Sequence, residues 1–357
     1  MLLINPTLIH GVKSSKKLPD LFMYLQKAIE LEHSTIPPYL TAMISIKPGS
    51  NKEINDVIHS VVIEEMLHMS IAANILNAIG GAPVINKPGF IPVYPGPLPM
   101  GINASLIVHL ERFSKDVVHR TFMEIEEPEN PLNFPERFKA MNLDVEEFAT
   151  IGQFYEAIKE MIIALAPYVL PGDPGKQMTT PMFESDELFP IITKEDAIKA
   201  IDVIIEQGEG TPDTPLTPEG EIAHYYRFKE IYLGKKLVYD PASEKGWYYG
   251  PPIPFDEKAI FPISKDTKIA DLPDGTQDEK EIKKMAEEFS YFYTKLLHGL
   301  HRTFNGEPGF INNTMGLMYD IKLIGQKLAA TPFPGRPGET VGTPFEFSNV
   351  FAGSVTK

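Results

Sequence analysis

Glu65 and His68 sit three residues apart in the run Val61-Val62-Ile63-Glu64-Glu65-Met66-Leu67-His68-Met69. Residues at that spacing project from one face of a helix. Ile58, Val61, Ala72, Ile75 and Ile79 continue the same stripe at steps of three and four, so the two polar side chains replace members of an apolar face. A lone carboxylate carried into such an interior costs several kcal/mol. A metal ion compensates it directly, while a buried His bonded to Glu or to backbone is the simpler alternative.

The helix that must carry this pair reads from about 51 to 79, with Ser50 and Glu53 as a start signal and Gly80-Gly81 as a stop. At 1.5 Å per residue it is roughly 43 Å long, a length suited to a four-helix bundle with a site near its middle. A second helix, from about 18 to 46, places Leu21, Leu25, Ala28, Glu32, Thr35, Tyr39 and Met43 on one stripe, with Pro37-Pro38 expected to interrupt or kink it. Tyr39, two turns after Glu32, is a candidate to hydrogen-bond a ligand or to pack in the core.

Residues 144–166 read as a third helix, opened by Asp144 and Glu147 and closed before Pro167. Its main face is Ile151, Phe154, Tyr155, Ile158, Ile162 and Leu165, and Glu156 lies off the centre of that face. A fourth helix, about 194–208, carries Ile198, Ile201 and Ile205, with Glu206 and Glu209 beside the stripe rather than within it. Thr217-Pro218 is expected to open a short helix that stops at Gly234. It contains a second Glu-x-x-His, Glu221 and His224, readable as a source of a further histidine ligand or as an amphipathic edge.

Composition narrows the classes. The chain has 357 residues, a formal net charge of -15 and no Cys. The charge disfavours nucleic acid and anionic lipid as partners. Without Cys, any metal site must use His and carboxylates, which suits iron, manganese or zinc. The N-terminal residues show no basic region followed by an apolar stretch, and no run approaches the ~20 apolar residues of a membrane span, so the default expectation is cytoplasmic. Residues 81–101 and 236–277 read as irregular Pro- and Gly-rich wraps, 105–110 as a short strand, and 114–126, 278–304 and 313–330 as further helices. The expected division is a helical bundle over 1–235 and an irregular segment with C-terminal helices over 236–357, packed on it.

Together, Leu31-Glu32-His33-Ser34-Thr35-Ile36-Pro37-Pro38-Tyr39-Leu40, Glu64-Glu65-Met66-Leu67-His68-Met69, Asn74-Ile75-Leu76-Asn77-Ala78-Ile79-Gly80-Gly81, Thr150-Ile151-Gly152-Gln153-Phe154-Tyr155-Glu156, Glu206-Gln207-Gly208-Glu209-Gly210 and His224-Tyr225-Tyr226-Arg227-Phe228 resemble a known family. It is the ferritin-like domain family that includes the iminophenyl-pyruvate dimer synthase domain of bisindole biosynthesis enzymes. The resemblance is strongest from about 20 to 235. It implies a mainly α fold, an antiparallel four-helix bundle with Pro-rich wraps and extra C-terminal helices. It also implies a centre of carboxylates and histidines, because such proteins use single Glu residues from two helices and Glu-x-x-His from two others. By similarity the ligands are Glu32, Glu65, His68, Glu156, Glu206 and His224, with Glu209 and Glu221 as alternatives. The cofactor implied is iron, dinuclear in preference to mononuclear, with manganese as an alternative.

The corresponding function is an oxidoreductase for a small organic substrate, such as an imine of an aromatic 2-oxo acid. No nucleic-acid or membrane partner is expected, and a homo-oligomer is compatible with the pattern. Iron sequestration without an organic substrate, and a metal-free structural partner of a biosynthetic enzyme, are the alternatives.

Overall fold

Two long helices, α2 (Phe22–Ser45) and α3 (Lys52–Ala78), pack against each other along their lengths, joined by a short connection that reverses the chain. The computed structural model describes residues 6–99, 106–128, 132, 151–179, 186–210, 214–242, 246–348 and 350. The bundle is completed by α6 (Ile151–Leu165) and α7 (Lys194–Glu209), which pack on each other, with α7 also lying against α3. The sequence-predicted opening of the third helix, Asp144 with Glu147, lies outside the described residues.

Helix α1 (Pro6–Lys13) lies on α6. Between α3 and α6 the chain forms a composite helix: α4 (Lys115–Val117), a π-helical turn (Val118–Phe122) and α5 (Met123–Ile125). Ser114 caps it, its Oγ accepting from the Val117 amide at 3.1 Å. Helix α8 (His224–Leu233) packs on this composite helix and touches α3 and α7.

Of the two outcomes expected for the Pro37-Pro38 pair, an interruption or a kink, the interruption does not occur, and α2 runs through both residues. Proline at 38 leaves the Ser34 carbonyl without its usual i+4 donor. The buried Tyr94 hydroxyl, from the Pro-rich wrap, donates to that carbonyl at 2.7 Å and replaces the missing bond. The start of α3 also differs. Ser50 spends its hydroxyl on the Lys47 carbonyl, and Asn51, at φ 44°, occupies the cap position without capping the helix, its side-chain amide bonding the Asp256 backbone instead. The predicted stop holds: Gly80, at φ 94°, takes the left-handed turn, and the Gly81 amide returns to the Leu76 carbonyl at 2.8 Å.

Three further expectations change. Residues 106–110 contribute an isolated bridge, Val108 to Gly96, rather than a strand. The irregular segment after α8 contains a two-stranded antiparallel sheet, β1 (Lys235–Tyr239) and β2 (Trp247–Pro252), with Leu237 opposite Tyr249. Thr217-Pro218 forms a turn, not a helix start, so α8 begins at His224.

The C-terminal hairpin of α9 (Gln277–Thr303) and α10 (Ile311–Ala330) leans on α2. Gly325 allows this approach: a Cβ there would lie 2.9 Å from Ile44 and 3.2 Å from Phe289. The final described segment locks the hairpin in place. Thr343 meets Thr41 of α2 at 2.8 Å, and Phe345 packs edge-on against Phe289 and Tyr293 of α9. One contiguous apolar core runs from Val12 through the bundle to Phe345. Among the described residues, no helix is long and apolar enough to cross a membrane.

Candidate metal centre

The inward stripe of α3 delivers Glu65 and His68 to the bundle interior, 3 % and 2 % exposed, where α2 supplies Glu32 at 5 %. Two sets of three donors form there. Glu32, Glu65 and His68 make the first; Glu65, Glu126 and His224 make the second; within each, the ligand atoms lie within 4.8 Å of one another. Glu65 is common to both. The imidazoles of His68 and His224 stack at 5.4 Å between centroids.

Both imidazoles turn the same atom toward the carboxylates. His68 Nδ1 lies 3.7 Å from Glu32 Oε2 and 3.7 Å from Glu65 Oε1, beyond hydrogen-bond reach. His224 Nδ1 lies 3.0 Å from Glu65 Oε1 and 3.4 Å from Glu126 Oε2. Distance alone would make the shorter contact a hydrogen bond. The oxygen lies off the donor direction, however, and the fully buried Nδ1 has no directed partner.

The opposite nitrogens are held from outside. His68 Nε2 meets Gln207 Oε1 at 2.8 Å, and the Gln207 amide in turn donates to Glu187 at 2.7 Å. His224 Nε2 meets Glu64 Oε2 at 2.9 Å, and Arg227 holds Glu64 through a 2.6 Å bond. Such outer partners fix the tautomer and ring orientation of metal-bound histidines. In the neutral rings, a proton on each Nε2 leaves each Nδ1 as a lone pair that a cation among the carboxylates can take.

The carboxylates are oriented as well. Thr35 donates to Glu65 Oε2 at 2.9 Å, Tyr39 to Glu126 Oε1 at 2.5 Å, and Tyr155 to Glu32 Oε1. Aromatic packing fixes Tyr39, whose ring lies edge-on against Phe122 and Phe228.

The electrostatics show how strongly this cluster attracts positive charge. Burial, with the Glu126 charge and then Glu32 added, raises the Glu65 carboxyl to about 7 against the pull of both histidines. Burial would lower His68 and His224, yet the surrounding carboxylates override it and raise both. Glu64 is also opposed by burial, but His224 and Arg227 bring it down to about 2. A cation in the cluster would neutralise the same charges that the histidines otherwise neutralise by taking protons. The donor set of carboxylate oxygens and imidazole nitrogens, without sulfur, fits iron, manganese or zinc.

Of the residues singled out in the sequence, the structure brings together Glu32, Glu65, His68 and His224, with Tyr39 beside them. It does not bring Glu156 or Glu206 into the cluster. Glu156 is 46 % exposed and paired with Lys159 at 2.6 Å. Glu206 is half-buried on the outer side of α7, its carboxyl raised by burial and by Asp202 and Glu219. In each case the neighbouring residue faces inward instead: Tyr155 and Gln207. The physical reason is the 100° rotation per residue, which sends acids beside an apolar stripe away from the face it marks. Glu221 lies before α8 and pairs with Arg227 at 3.0 Å, so it is no ligand. The side chain of Glu209 lies outside the described residues.

Glu126 and Glu64 were not among the sequence candidates. Glu126 ends the composite helix just after the π turn, within the acidic run Glu124-Ile125-Glu126-Glu127, which reads as a solvated helix end. Its signal is the four-residue spacing Val118, Phe122, Glu126, whose first two members are fully buried. π turns recur at functional sites because they re-aim the following side chains. A cavity of about 40 Å³ opens beside Glu126 and Tyr155, lined also by Ile125, Gly152, Ile204 and Gly208.

A family model described as Ferritin-like matches residues 25–233. The crystal structure of a ferritin-like protein from Caulobacter vibrioides has a TM-score of 0.61 at 22 % identity, covering 92 % of this chain and 99 % of that one. No curated protein matches the chain.

Proposed function

The chain belongs to the Ferritin-like family, and on that premise we propose that it is an oxidoreductase that holds two metal ions, iron in preference to manganese, and acts on a small organic substrate. The observation that carries this reading is the paired donor sets sharing Glu65, each presenting one imidazole Nδ1 to buried carboxylates. Glu32, Glu65 and His68 would hold one ion, and Glu65, Glu126 and His224 the other. Iron bound there supplies one-electron redox steps and coordination positions open to dioxygen or peroxide.

The chain's own residues keep the centre dry and aimed. Tyr39 and Tyr155 hold protons at the oxygens of Glu126 and Glu32, and burial raises both phenols well above their ordinary range. They act as neutral donors at neutral pH. Tyr39 therefore has a positioning role, through Glu126. The cavity beside Glu126 and Tyr155 has room for a few waters or for dioxygen. An imine of an aromatic 2-oxo acid, as used by iminophenyl-pyruvate dimer synthases, is the substrate class to screen first, on the strength of the shared motifs.

Elemental analysis of protein purified without chelator tests the reading, beside a Glu65→Ala, His68→Ala double variant. Near two iron or manganese per chain, lost in the variant, supports it and is followed by oxygen-consumption assays with aromatic amino and 2-oxo acids. No metal after anaerobic reconstitution with iron sinks it.

A further inference from the structure

A larger cavity lies on the other side of α2 and α3 from the donor cluster, enclosed by the α9–α10 hairpin. Its volume is about 290 Å³, and its wall includes five methionines, Met43, Met66, Met69, Met315 and Met318. The space exists because α10 packs on α9 and α2 and leaves the facing surface of α3 to side chains. Flexible thioethers adapt to varied apolar ligands.

Besides Ser70 and Tyr319, polar groups enter this wall at two places. On the inner side His33 and Tyr293 bond to each other at 2.5 Å. At the mouth stand His59 and Lys322, close enough that the lysine charge depresses the imidazole alongside its burial. Asp56, the acid whose charge also reaches His59, is already ion-paired with Lys52. The mouth thus presents one ammonium, that of Lys322, which has no ion pair among the described residues, beside a neutral His59 imidazole and above an apolar interior, on a chain whose net charge is -15.

An apolar cavity of ~150 Å³ accommodates one benzene ring. Twice that volume corresponds to roughly twelve carbons by the same measure. The wall is mostly apolar, and its few polar side chains, among them His33, Ser70, Tyr293 and Tyr319, are too sparse to match the many polar groups of a nucleotide or sugar. We propose that this cavity binds an unbranched monocarboxylate of the fatty-acid class, its tail against the methionines and its carboxylate at Lys322 and His59. The site is separate from the metal centre, so its occupancy does not depend on the redox reading.

Calorimetric titration of the full chain with octanoate, decanoate and dodecanoate, each below its micelle concentration, tests the proposal. Each added pair of methylenes should tighten binding about fifteenfold until the cavity is filled. Lys322→Glu should weaken dodecanoate about tenfold while leaving dodecanol unchanged. Met318→Trp, which fills the space from α10, should abolish binding with metal content and melting temperature retained. Undetectable binding of dodecanoate to the wild type, or affinity independent of chain length, overturns the proposal without bearing on the metal centre. So does a dimer of this chain that Met318→Trp dissociates in the absence of any fatty-acid binding, which would make the cavity a self-association surface.

Discussion

Replacing Glu65 with Gln should stabilise the metal-free protein at pH 8 and destabilise the metal-loaded one. The isostere keeps an acceptor for Thr35 but removes the carboxylate that both donor sets share. Glu65 titrates near 4.5 when unfolded and about 7 when folded, because burial and the Glu126 and Glu32 charges oppose its ionisation. Between those values the folded chain binds the extra proton, so the stability associated with protonated Glu65 is complete below 4.5. It is lost as pH rises through 7.

At pH 8 the ionised group costs the metal-free fold on the order of 3 kcal/mol, a cost that Gln avoids. Scaled by an unfolding entropy of about 2 cal/mol/K per residue, this is a rise of roughly 4 °C in melting temperature, absent at pH 4.5. With metal the sign inverts. A ligand at a thousand times its Kd adds about 4.1 kcal/mol to the wild type, which exceeds the gain from Gln, and the variant forgoes it. Melting curves in chelator and with anaerobic iron(II), at pH 4.5 and 8, contain the whole comparison. A variant less stable than wild type in chelator at pH 8 would refute the reasoning. It would mean that Glu65 is a structural partner of the histidines, since breaking a buried pair costs about 3–5 kcal/mol.

Gln207→Leu removes the acceptor that orients His68 and should weaken one of two metal sites by about 10–100-fold, read as a second, looser phase in an iron(II) titration; two equal tight sites would contradict that role. Glu156→Ala and Glu206→Ala should leave metal stoichiometry unchanged, and for Glu156 the stability cost should stay within about 1 kcal/mol, because its ion pair is solvent-exposed. Loss of metal in either variant would restore that residue as a ligand. Tyr94→Phe strips the Ser34 carbonyl of its donor and should cost about 1–3 kcal/mol in denaturant unfolding. An unaffected midpoint would mean that α2 tolerates its prolines by another route.

Helical periodicity alone identified the inward faces of α2 and α3, because stripes of 24 and 27 helical residues leave little freedom in which side chains meet the core. Glu32, Glu65 and His68 follow from that. On α6 and α7 the same periodicity set Glu156 and Glu206 beside the stripe, and the packing agrees with the periodicity rather than with family analogy. Tyr155 and Gln207 occupy the inward positions there, and a phenol and an amide carry no ligand signature in a sequence.

Only tertiary structure brought in Glu126, Glu64 and His224 as one system. They come from three elements, and His224 Nε2 and Glu64 Oε2 meet at 2.9 Å across 160 positions in the chain. A helix-face argument reaches residues one or two turns apart, whereas the ion-attracting field at Glu65 is a sum over charges that meet only when α3, α5 and α8 pack. The prolines of α2 follow the same logic: their local sequence predicts an interruption or a kink, and the helix runs on with Tyr94, 60 positions from Ser34, donating to the carbonyl that Pro38 leaves without its amide. What the sequence determined by itself was which faces turn inward, since that depends on spacing within one element. Which inward groups touch depended on the packing of elements against one another, where a contact is a property of distance in space and not of position in the chain.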